Sequence, residues 1–304
     1  MKRYIKKGTV IALTAAIVAT AVQTAAFAAT DGNYDTKETY LSLGADLSES
    51  EKATVYELLG LKEGEIPEDQ IQKVTNEEEH QYLDSYIPSS QIGSRALSSV
   101  LVTEAADGKG IDVTTKNIGY CTEGMYENAL ATAGAKDIDV VVAGPFEISG
   151  TAALVGAIKA YSEKTGEKVD EETVDAAIDE MVTTGELKDS ITESAQNGDV
   201  SDEEIEGMVA WLKEQVANSS DEDLDALIDE GEQKFGVSLT EDEQSQLREL
   251  LRKLSSLDLD VKSLKDQAQS IYNKLDDMGI HISSEDANGI IQKIIALLKG
   301  FLNK

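Results

Sequence analysis

Two kinds of hydrophobic pattern follow one another along the chain. Up to about residue 160, short apolar runs alternate with helical patterns, and the run Ile138–Ala143 holds three consecutive valines. Such a run is typical of a strand that is buried on both faces of a sheet. Farther on, apolar residues recur every three or four positions, which indicates amphipathic helices. The sequence therefore predicts an α+β or α/β fold, with an N-terminal layered α/β domain, then acidic helices and a C-terminal helical bundle.

Capping residues predict where the helices of the first part begin. Asp46 or Ser48 can cap a helix that ends at Gly60, because their side-chain oxygens accept the free N–H groups of a first turn. Asn76 can cap a second helix, which opens with three glutamates, and Thr122 can cap a third. Because the helix dipole favours acidic residues in a first turn, we interpret the three glutamates as solvated.

Glycine and proline mark the connections of the predicted sheet. Leu97–Thr103 and Ile111–Thr115 flank Asp107-Gly108-Lys109-Gly110, which predicts a β-hairpin. Gly144-Pro145 is expected to close the valine-rich strand, and a helix over Gly150–Glu163 is expected to follow it. The two strands of the hairpin would then be neighbours in the sheet.

The second half of the chain holds apolar stripes at helical spacing. They are formed by Val174, Ile178, Met181 and Val182; by Ile205, Met208, Val209 and Leu212; by Leu247, Leu250, Leu251 and Leu254; and by Leu264, Ala268, Ile271, Leu275 and Met278. A last stripe, within 284–302, also carries lysines. That segment could lie on a membrane surface, but packing as the closing helix of a bundle is the interpretation that we favour.

The uneven distribution of charge divides the chain. Between Glu167 and Glu232 there are 23 acidic residues against three lysines, whereas acids and bases are nearly balanced after Glu241. All three prolines lie before residue 167, as expected if the second half is mostly helical. We therefore predict an α/β domain over 29–166, an acidic helical region over 167–240 and a C-terminal helical region over 241–304.

The N-terminal segment has the pattern of a secretory signal peptide, 1–28. A short apolar run, Thr9–Val22, follows a basic start, and the cleavage pattern Ala26-Phe27-Ala28 comes next. The basic residues are Lys2, Arg3, Lys6 and Lys7. Because a spanning helix needs roughly 20 apolar residues, the run is too short to be one. We expect cleavage near Ala28 and a protein that is secreted, extracellular or held at the cell surface.

The net charge of the chain, −31, limits its partners. Nucleic acid is excluded because its phosphates would be repelled, and anionic lipid is disfavoured for the same reason. A component of the cell envelope or a cationic partner remains open, and membrane contact is expected only if the segment 284–302 is interfacial. Cys121 is the only cysteine, so the chain can form no intramolecular disulfide.

Several runs in the first part resemble a known family. They are Glu79–Leu83, Ile92–Val100, Asn117-Ile118, Met125-Tyr126, Ala129–Gly134 and Ser149–Leu154. These runs are similar to those of the YpuA-like family of secreted Gram-positive proteins, which is designated domain of unknown function 1002. The resemblance implies a Gram-positive extracellular setting. It supplies no activity and no site residues, and Cys121 stands where the family pattern is expected to have a hydroxyl residue.

Three side chains are weak candidates for catalysis. Ser149 lies at a predicted strand-to-helix turn and could act as a nucleophile with His80 or His281 as its base, or Cys121 could pair with His80. The alternatives are structural: an N-cap for Ser149, a small buried side chain for Cys121 and a solvated first turn for His80. We favour these alternatives because the chain lacks the Gly-x-Ser-x-Gly pattern around Ser149.

Ligand binding is predicted where the valine-rich strand is expected to end and a helix to begin. The candidate contacts there are Gly144, Ser149, Gly150 and Thr151. Free N–H groups at the start of a helix can bind an anion. Arg95 is a further candidate, which can bind an anionic ligand or pair with a carboxylate of the same domain, and we favour the pairing.

One acidic cluster has the spacing of a calcium-binding loop. Asp221, Asp223, Asp225, Asp229 and Glu232 fall at positions 1, 3, 5, 9 and 12 of an EF-hand. The loop needs glycine at position 6, but this chain has Ala226, and the apolar residues nearby repeat at helical spacing. We therefore favour a capped acidic helix and expect neither a metal nor another cofactor, with calcium as the alternative.

These observations leave two functions open. The first is a non-enzymatic binding protein associated with the cell envelope. This function is favoured by the signal peptide, by the acidity of the chain and by the lack of a catalytic motif. The alternative is a secreted hydrolase or transferase that uses carboxylate, serine or cysteine chemistry in the α/β domain. Its acid or base would come from Glu104, Glu123 or Glu147, which are expected near the loops of the sheet. We favour the binding protein.

Overall fold

The computed structural model describes residues 39–66, 71–165, 169–193, 200–218 and 223–280. These residues all fall within one compact unit, 37–304. Several predictions fall outside the described residues. They are the signal peptide, 1–28, with its cleavage site near Ala28, the C-terminal stripe of 284–302, Asp221 of the calcium motif and His281 as a base. Within the described part of the chain, no helix is both long enough and apolar enough to cross a membrane.

The described strands form a mixed five-stranded sheet with the order β2-β1-β3-β5-β4. The strands are β1 (Thr39–Gly44), β2 (Ile71–Val74), β3 (Ser99–Glu104), β4 (Ile111–Ile118) and β5 (Ile138–Ile148). β1 and β2 run parallel, as do β4 and β5, while β3 is antiparallel to both β1 and β5. Helices pack against this sheet, and further helices follow it in the chain. The combination of a mixed sheet with many helices confirms the predicted α+β architecture.

The predicted hairpin between β3 and β4 is wrong, because β5 lies between these two strands. Val100 pairs with Val142 across β3 and β5, and Thr115 pairs with Val142 across β4 and β5. Val140 and Val142 are at most 1% exposed. A strand with such side chains buries more apolar surface with a neighbour on each side than at an edge.

β5 does not end at Gly144-Pro145 as predicted. It runs on to Ile148, which pairs with Ile118 beyond an irregularity in β4. Gly119 extends the pairing by donating its N–H to the carbonyl of Ile148 at 2.8 Å. Proline has no N–H to donate, so it is tolerated where a ladder is irregular.

The helices of the first part are set mainly by local capping. They are α1 (Glu49–Leu59), α2 (Asn76–Leu83), α3 (Ser89–Ile92), α4 (Glu123–Thr132) and α5 (Thr151–Thr165). Ser48 caps α1, Gly60 ends it in a left-handed conformation, and Thr122 caps α4, all as predicted. The cap of α2 is Thr75 rather than Asn76, because Thr75 and Glu78 form a reciprocal capping box.

The described helices of the second part are α6 (Glu171–Glu193), α7 (Asp202–Asn218), α8 (Leu224–Phe235), α9 (Glu241–Ser255) and α10 (Val261–Asp277). Their predicted stripes are buried except at two positions. Val174 is only partly buried, and Met278 lies beyond α10 with 54% of its surface exposed. Tertiary packing therefore uses the apolar faces that the sequence pattern indicates.

Two large buried clusters form most of the core of the described part, and a small third cluster consists of Val74, Ala96, Ala152 and Val155. One large cluster lies between the sheet and helices α4, α5 and α6, and the other is built around Trp211 from helices α6 to α10. Helix α4 packs on β4 and also on α6, α7 and α10. It therefore connects the sheet with the helices that follow it.

Candidate functional site

A cleft of about 330 Å³ opens beside the end of β5 and the start of α5. Glu79, Arg95, Ser98, Phe146, Ser149 and Gly150 are among the residues that line it. The volume falls within the range of about 300–1,000 Å³ that is typical of small-molecule sites. The cleft thus brings together residues from α2, from the segment before β3 and from the β5–α5 connection.

The connection between β5 and α5 is only two residues long, Ser149 and Gly150. Gly150 has φ of 94°, and a Cβ atom there would lie 2.6 Å from both Ile118 Cγ2 and Tyr126 Oη. The hydroxyl of Tyr126 donates to the carbonyl of Gly150 at 2.6 Å, and Cys121 donates its N–H to the carbonyl of Ser149 at 3.0 Å. These contacts allow only glycine at position 150 and hold the turn in place.

A buried carboxylate lies at the floor of the cleft. Glu79 is 2% exposed, and its Oε1 accepts a hydrogen bond from the hydroxyl of Thr151 at 2.7 Å. The hydroxyls of Thr151 and Ser149 are 3.2 Å apart. Because Thr151 donates its only hydroxyl proton to Glu79, Ser149 must donate to Thr151. Burial raises the pKa of the Glu79 carboxyl. The hydrogen bonds form a line of polar groups from Glu79 through Thr151 to Ser149.

The predicted N-cap role of Ser149 is wrong. Helix α5 begins at Thr151, one residue later than expected. The N–H of Ala153 donates to the hydroxyl of Ser98 at 2.9 Å, so the cap comes from the segment that leads into β3. Ser98 is 3% exposed and also lines the cleft. The side chain of Ser149 is therefore available to the cleft rather than used to start the helix.

Arg95 pairs with a carboxylate, as the favoured interpretation predicted. Its guanidinium donates to both carboxylate oxygens of Glu51, at 3.1 and 2.6 Å, and to the carbonyl of Asp46 at 2.7 Å. This bidentate pairing is the first cause that lowers the pKa of Glu51, to about 2. Arg95 lines the cleft with its charge already compensated, so it offers little to an anionic ligand.

His80 is not among the residues that line the cleft, and it does not serve the candidate nucleophiles. Its Nδ1 is 2.7 Å from the carboxylate of Asp84, and its Nε2 is 3.1 Å from the carbonyl of Gly93. Both neighbours are acceptors, so the doubly protonated imidazolium suits them, and the bond to Asp84 is the first cause that raises the pKa of His80. The ring tethers Gly93, which lines the cleft.

Cys121 lies beneath the cleft and not in it. Its side chain is 2% exposed, and burial raises the pKa of the thiol to about 12. A thiol with such a pKa holds its proton and is a poor nucleophile at neutral pH. Since both nitrogens of His80 are occupied by Asp84 and Gly93, no thiol–imidazole pair forms between His80 and Cys121.

Two other predicted sites have structural roles. Gly144 lies inside β5, where a Cβ atom would come within 2.7 Å of Ile148 Cγ1. The carboxylates considered as acid or base, Glu104, Glu123 and Glu147, are not among the residues that line the cleft. Glu123 instead accepts the N–H of Thr115 at 3.0 Å. The ligand loop predicted over Gly144–Thr151 is therefore shorter, since most of it is strand.

The calcium motif is a capped helix, as the favoured interpretation predicted. Asp223 is the N-cap of α8, and Asp225 pairs with Arg248. Glu232 accepts the N–H of Leu239 at 2.6 Å and the side-chain amide of Gln244 at 2.7 Å. Within the described ranges, no group of three or more histidine, cysteine or acidic side chains is arranged to hold a metal ion.

Sequence patterns missed the main polar group of the site and its main apolar group. The three glutamates in the first turn of α2 are predicted to be solvated, which is wrong for Glu79, because the fold buries it while Glu77 and Glu78 remain more exposed. Phe146 follows Pro145 at a predicted strand end, and half of its surface is exposed beside the cleft. One sequence signal could have located the cleft. Family-like residues are dense in Glu79–Leu83 and Ile92–Val100, and both runs contribute residues to the lining.

Comparison with known proteins supports the family resemblance of this chain, including the runs that form the cleft. A family model described as "Protein of unknown function (DUF1002)" matches residues 43–271. An uncharacterised protein of Bacillus subtilis (strain 168), YpuA, is 39% identical over 260 residues, which cover 84% of this chain and 84% of that protein. No solved structure matches the chain. The matched span includes every residue that lines the cleft.

Proposed function

We propose, since this chain belongs to the DUF1002 family of proteins of unknown function, that it is a secreted, non-enzymatic protein that binds a cell-envelope component in the cleft around Glu79. The pattern of a signal peptide in 1–28 supports secretion, and the net charge of −31 is compatible with solubility outside the cell. The observation that carries the proposal is the cleft itself, where polar and apolar side chains of three segments converge.

The chemistry of the cleft favours binding over catalysis. The imidazole of His80 is occupied by Asp84 and Gly93, and Cys121 is a buried thiol. Ser149 reaches a carboxylate only through a second hydroxyl, that of Thr151. Hydroxyls hydrogen-bond readily but are weak bases, so this line suits recognition of a polar ligand better than activation of a nucleophile.

A direct test is cosedimentation of the purified protein with insoluble envelope material from a Gram-positive cell. Ser94 is an exposed residue that lines the cleft, so Ser94→Trp should fill the cleft without disturbing the core. We expect this variant to lose most of its binding. Ser90→Trp is the matched control, because Ser90 is exposed but lies outside the lining of the cleft.

Two results would contradict the proposal. One is that the wild-type protein stays in the supernatant at all concentrations of envelope material. The other is that Ser94→Trp and Ser90→Trp bind as well as the wild type, because binding would then use another surface. Melting curves of both variants should match that of the wild type, which shows that any loss arises at the cleft.

A hydrolase that uses Ser149 as its nucleophile is the second candidate, and the line from Ser149 through Thr151 to Glu79 favours it. That line could carry a proton from the attacking hydroxyl to the carboxylate. Hydrolysis of an activated acetyl ester that is abolished by Ser149→Ala and by Glu79→Gln would support it. Equal rates for wild type and Ser149→Ala would exclude it.

A further inference from the structure

On the basis of that proposed function, we infer that the part of the ligand that enters the cleft is a neutral, hydroxyl-bearing ring, which makes the ligand a carbohydrate. The cleft combines a hydrogen-bonding floor with an exposed aromatic ring at its side. A sugar unit has the matching chemistry, since it carries hydroxyl groups around a ring whose C–H faces are apolar. Four residues carry this assignment: Glu79, Ser149 and Arg95 through their contacts, and Phe146 through its exposure.

The floor of the cleft is rich in hydrogen-bond acceptors. The Glu79 carboxylate receives the hydroxyl of Thr151 at 2.7 Å and the side-chain amide of Asn76 at 3.4 Å. Because Glu79 is only 2% exposed, its carboxyl group acts on the ligand mainly by fixing the hydroxyl of Thr151. Ser149 donates its proton toward Thr151, which leaves its lone pairs as acceptors. A ligand that binds this floor must therefore supply hydrogen-bond donors, and sugar hydroxyls can do so.

The side of the cleft offers an apolar surface to the same ligand. Phe146 is 50% exposed, and among the large apolar side chains that the structure describes, only Met278 is comparably exposed. Ile92 and Ile148 also line the cleft. An aromatic ring left exposed beside a concave site is characteristic of binding surfaces, because it supplies a large rigid contact area. Phe146 can cover the apolar face of a sugar ring while the floor binds its hydroxyls.

The charges around the cleft disfavour an ionic ligand. Arg95 is the basic side chain in the lining, and Glu51 compensates it through two hydrogen bonds. An anion would meet this neutralised pair and the negative field of a chain with a net charge of −31. A cation would have to reach Glu79, whose Oε1 is covered by Thr151 and which is 2% exposed. A neutral ligand avoids both the repulsion that an anion would meet and the cost of bringing a cation to a buried carboxyl group.

Isothermal titration of the purified protein with soluble oligosaccharides tests the inference. The probes are cellotriose, maltotriose and N,N′-diacetylchitobiose, with an oligolysine peptide as the cationic comparison. We expect at least one sugar to bind, and its affinity to change little between about 0.05 and about 0.5 M salt, because a neutral ligand is not screened. Phe146→Ser should weaken that binding by roughly tenfold or more, and Phe146→Tyr should retain it.

The matched control is Met278→Ser, which removes the other exposed large apolar side chain and should leave sugar binding unchanged. Glu79→Gln should also weaken sugar binding, with the melting temperature reported to show that the variant folds. Failure of all three sugars to bind overturns the inference, as does sugar binding that Phe146→Ser leaves intact. Salt-sensitive binding of oligolysine that Ser94→Trp blocks overturns it in favour of a cationic ligand.

The envelope experiment separates this inference from the proposed function. If the envelope material binds the wild type but not Ser94→Trp, while no sugar binds, then the carbohydrate assignment fails and the proposed function stands. If neither envelope material nor sugar binds, both fail. If a sugar binds and competes with the envelope material, both are supported.

Discussion

At the scale of single residues, three buried glutamates lie where helix α4 meets the helices of the second part, and each is compensated differently. The contacts are Glu127 with Lys274, Glu180 with Lys213, and Glu206 with the hydroxyl of Thr122. Two of the three carboxylates have an ammonium partner, whereas the side chain of Glu206 is given a neutral hydroxyl. Because a buried charge without a counter-charge is costly, the glutamates should differ in how they respond to pH.

Glu206 should make the protein less stable as the pH rises. Burial raises the pKa of this carboxyl from its ordinary value of 4.5 to about 8 in the folded protein. Its protonated form therefore stabilises the fold at low pH, and this contribution is lost progressively as the pH rises through about 8. We expect Glu206→Gln, which stays neutral, to flatten the decline in unfolding free energy between about pH 5 and about pH 9.

Urea unfolding at several pH values measures this effect. Glu230→Gln on helix α8 is the matched control, since it makes the same chemical change at a partly exposed site. The control should follow the wild type across the pH range. If the unfolding free energies of Glu206→Gln and the wild type changed in parallel with pH, the prediction would be wrong. Glu206 would then ionise in the folded protein without a loss of stability.

The pair of Glu180 and Lys213 should be sensitive to the loss of either partner. Their Oε1 and Nζ atoms are 2.7 Å apart, and both side chains are at most 2% exposed. Lys213 also donates to the carbonyl of Asn128 at 2.8 Å. Because Lys213→Met leaves the carboxylate of Glu180 buried without its counter-charge, it should lower the unfolding free energy by about 3–5 kcal/mol.

A double variant distinguishes the loss of a charge pair from a packing defect. Glu180→Leu with Lys213→Met replaces both charges by apolar side chains and should recover part of the stability. The recovery should be incomplete, because Thr132 and Asn128 lose partners. A double variant that is less stable than Lys213→Met alone, in urea unfolding, would contradict this account.

At the scale of elements, α5 depends on a glycine for its contact with the sheet. A Cβ atom on Gly156 would lie 2.8 Å from Ser42 Oγ and 3.2 Å from Val100 Cγ1, so the helix would have to move away from β1 and β3. We expect Gly156→Ala to destabilise the protein by about 1–3 kcal/mol, as overpacking does. The helix propensity gained from alanine, at most about 1 kcal/mol, should not offset this loss.

Gly231→Ala is the matched control for that substitution. Gly231 lies inside α8, and a Cβ atom there would meet flexible side-chain atoms, Leu212 Cδ2 at 3.3 Å and Met208 Cγ at 3.4 Å. Because these side chains can adjust, the change in unfolding free energy should stay within about 1 kcal/mol. Calorimetric melting of both variants provides the measurement, and equal melting temperatures would contradict a tight contact at Gly156.

The same scale shows what the sequence could and could not predict. The caps Ser48 and Thr122 were predictable because each bonds an N–H within three residues of itself. The position of β5 between β3 and β4 was not, because it depends on pairing between distant segments such as Val100 and Val142. Likewise Arg95 was identified as a candidate from its type, whereas Glu79 became one only through burial against Thr151.

At the scale of the whole molecule, the question is whether the sheet and the later helices unfold as one unit. The division into 29–166, 167–240 and 241–304 is still a prediction. Helix α4 contacts β4 on one side and α6, α7 and α10 on the other. Its hydrogen bonds from Thr132 to Glu180 and from Asn128 to the carbonyl of Glu206 are buried and polar. Separating the two parts would break these hydrogen bonds and expose apolar residues of α4 and α6 that share one cluster with the sheet, so we expect a single cooperative unit.

Native-state hydrogen exchange can decide this, because it reports the opening free energy of each element separately. The slowest amides of β3, which packs in the first cluster, should open with the same free energy as those of α7, which packs in the second. The variant Lys213→Met makes the comparison sharper. If its effect is global, it should lower the opening free energy of both elements equally, although Lys213 itself lies on α7. If the amides of α7 lose protection while those of β3 keep theirs, then the sheet folds independently and the predicted boundary near residue 166 separates true domains.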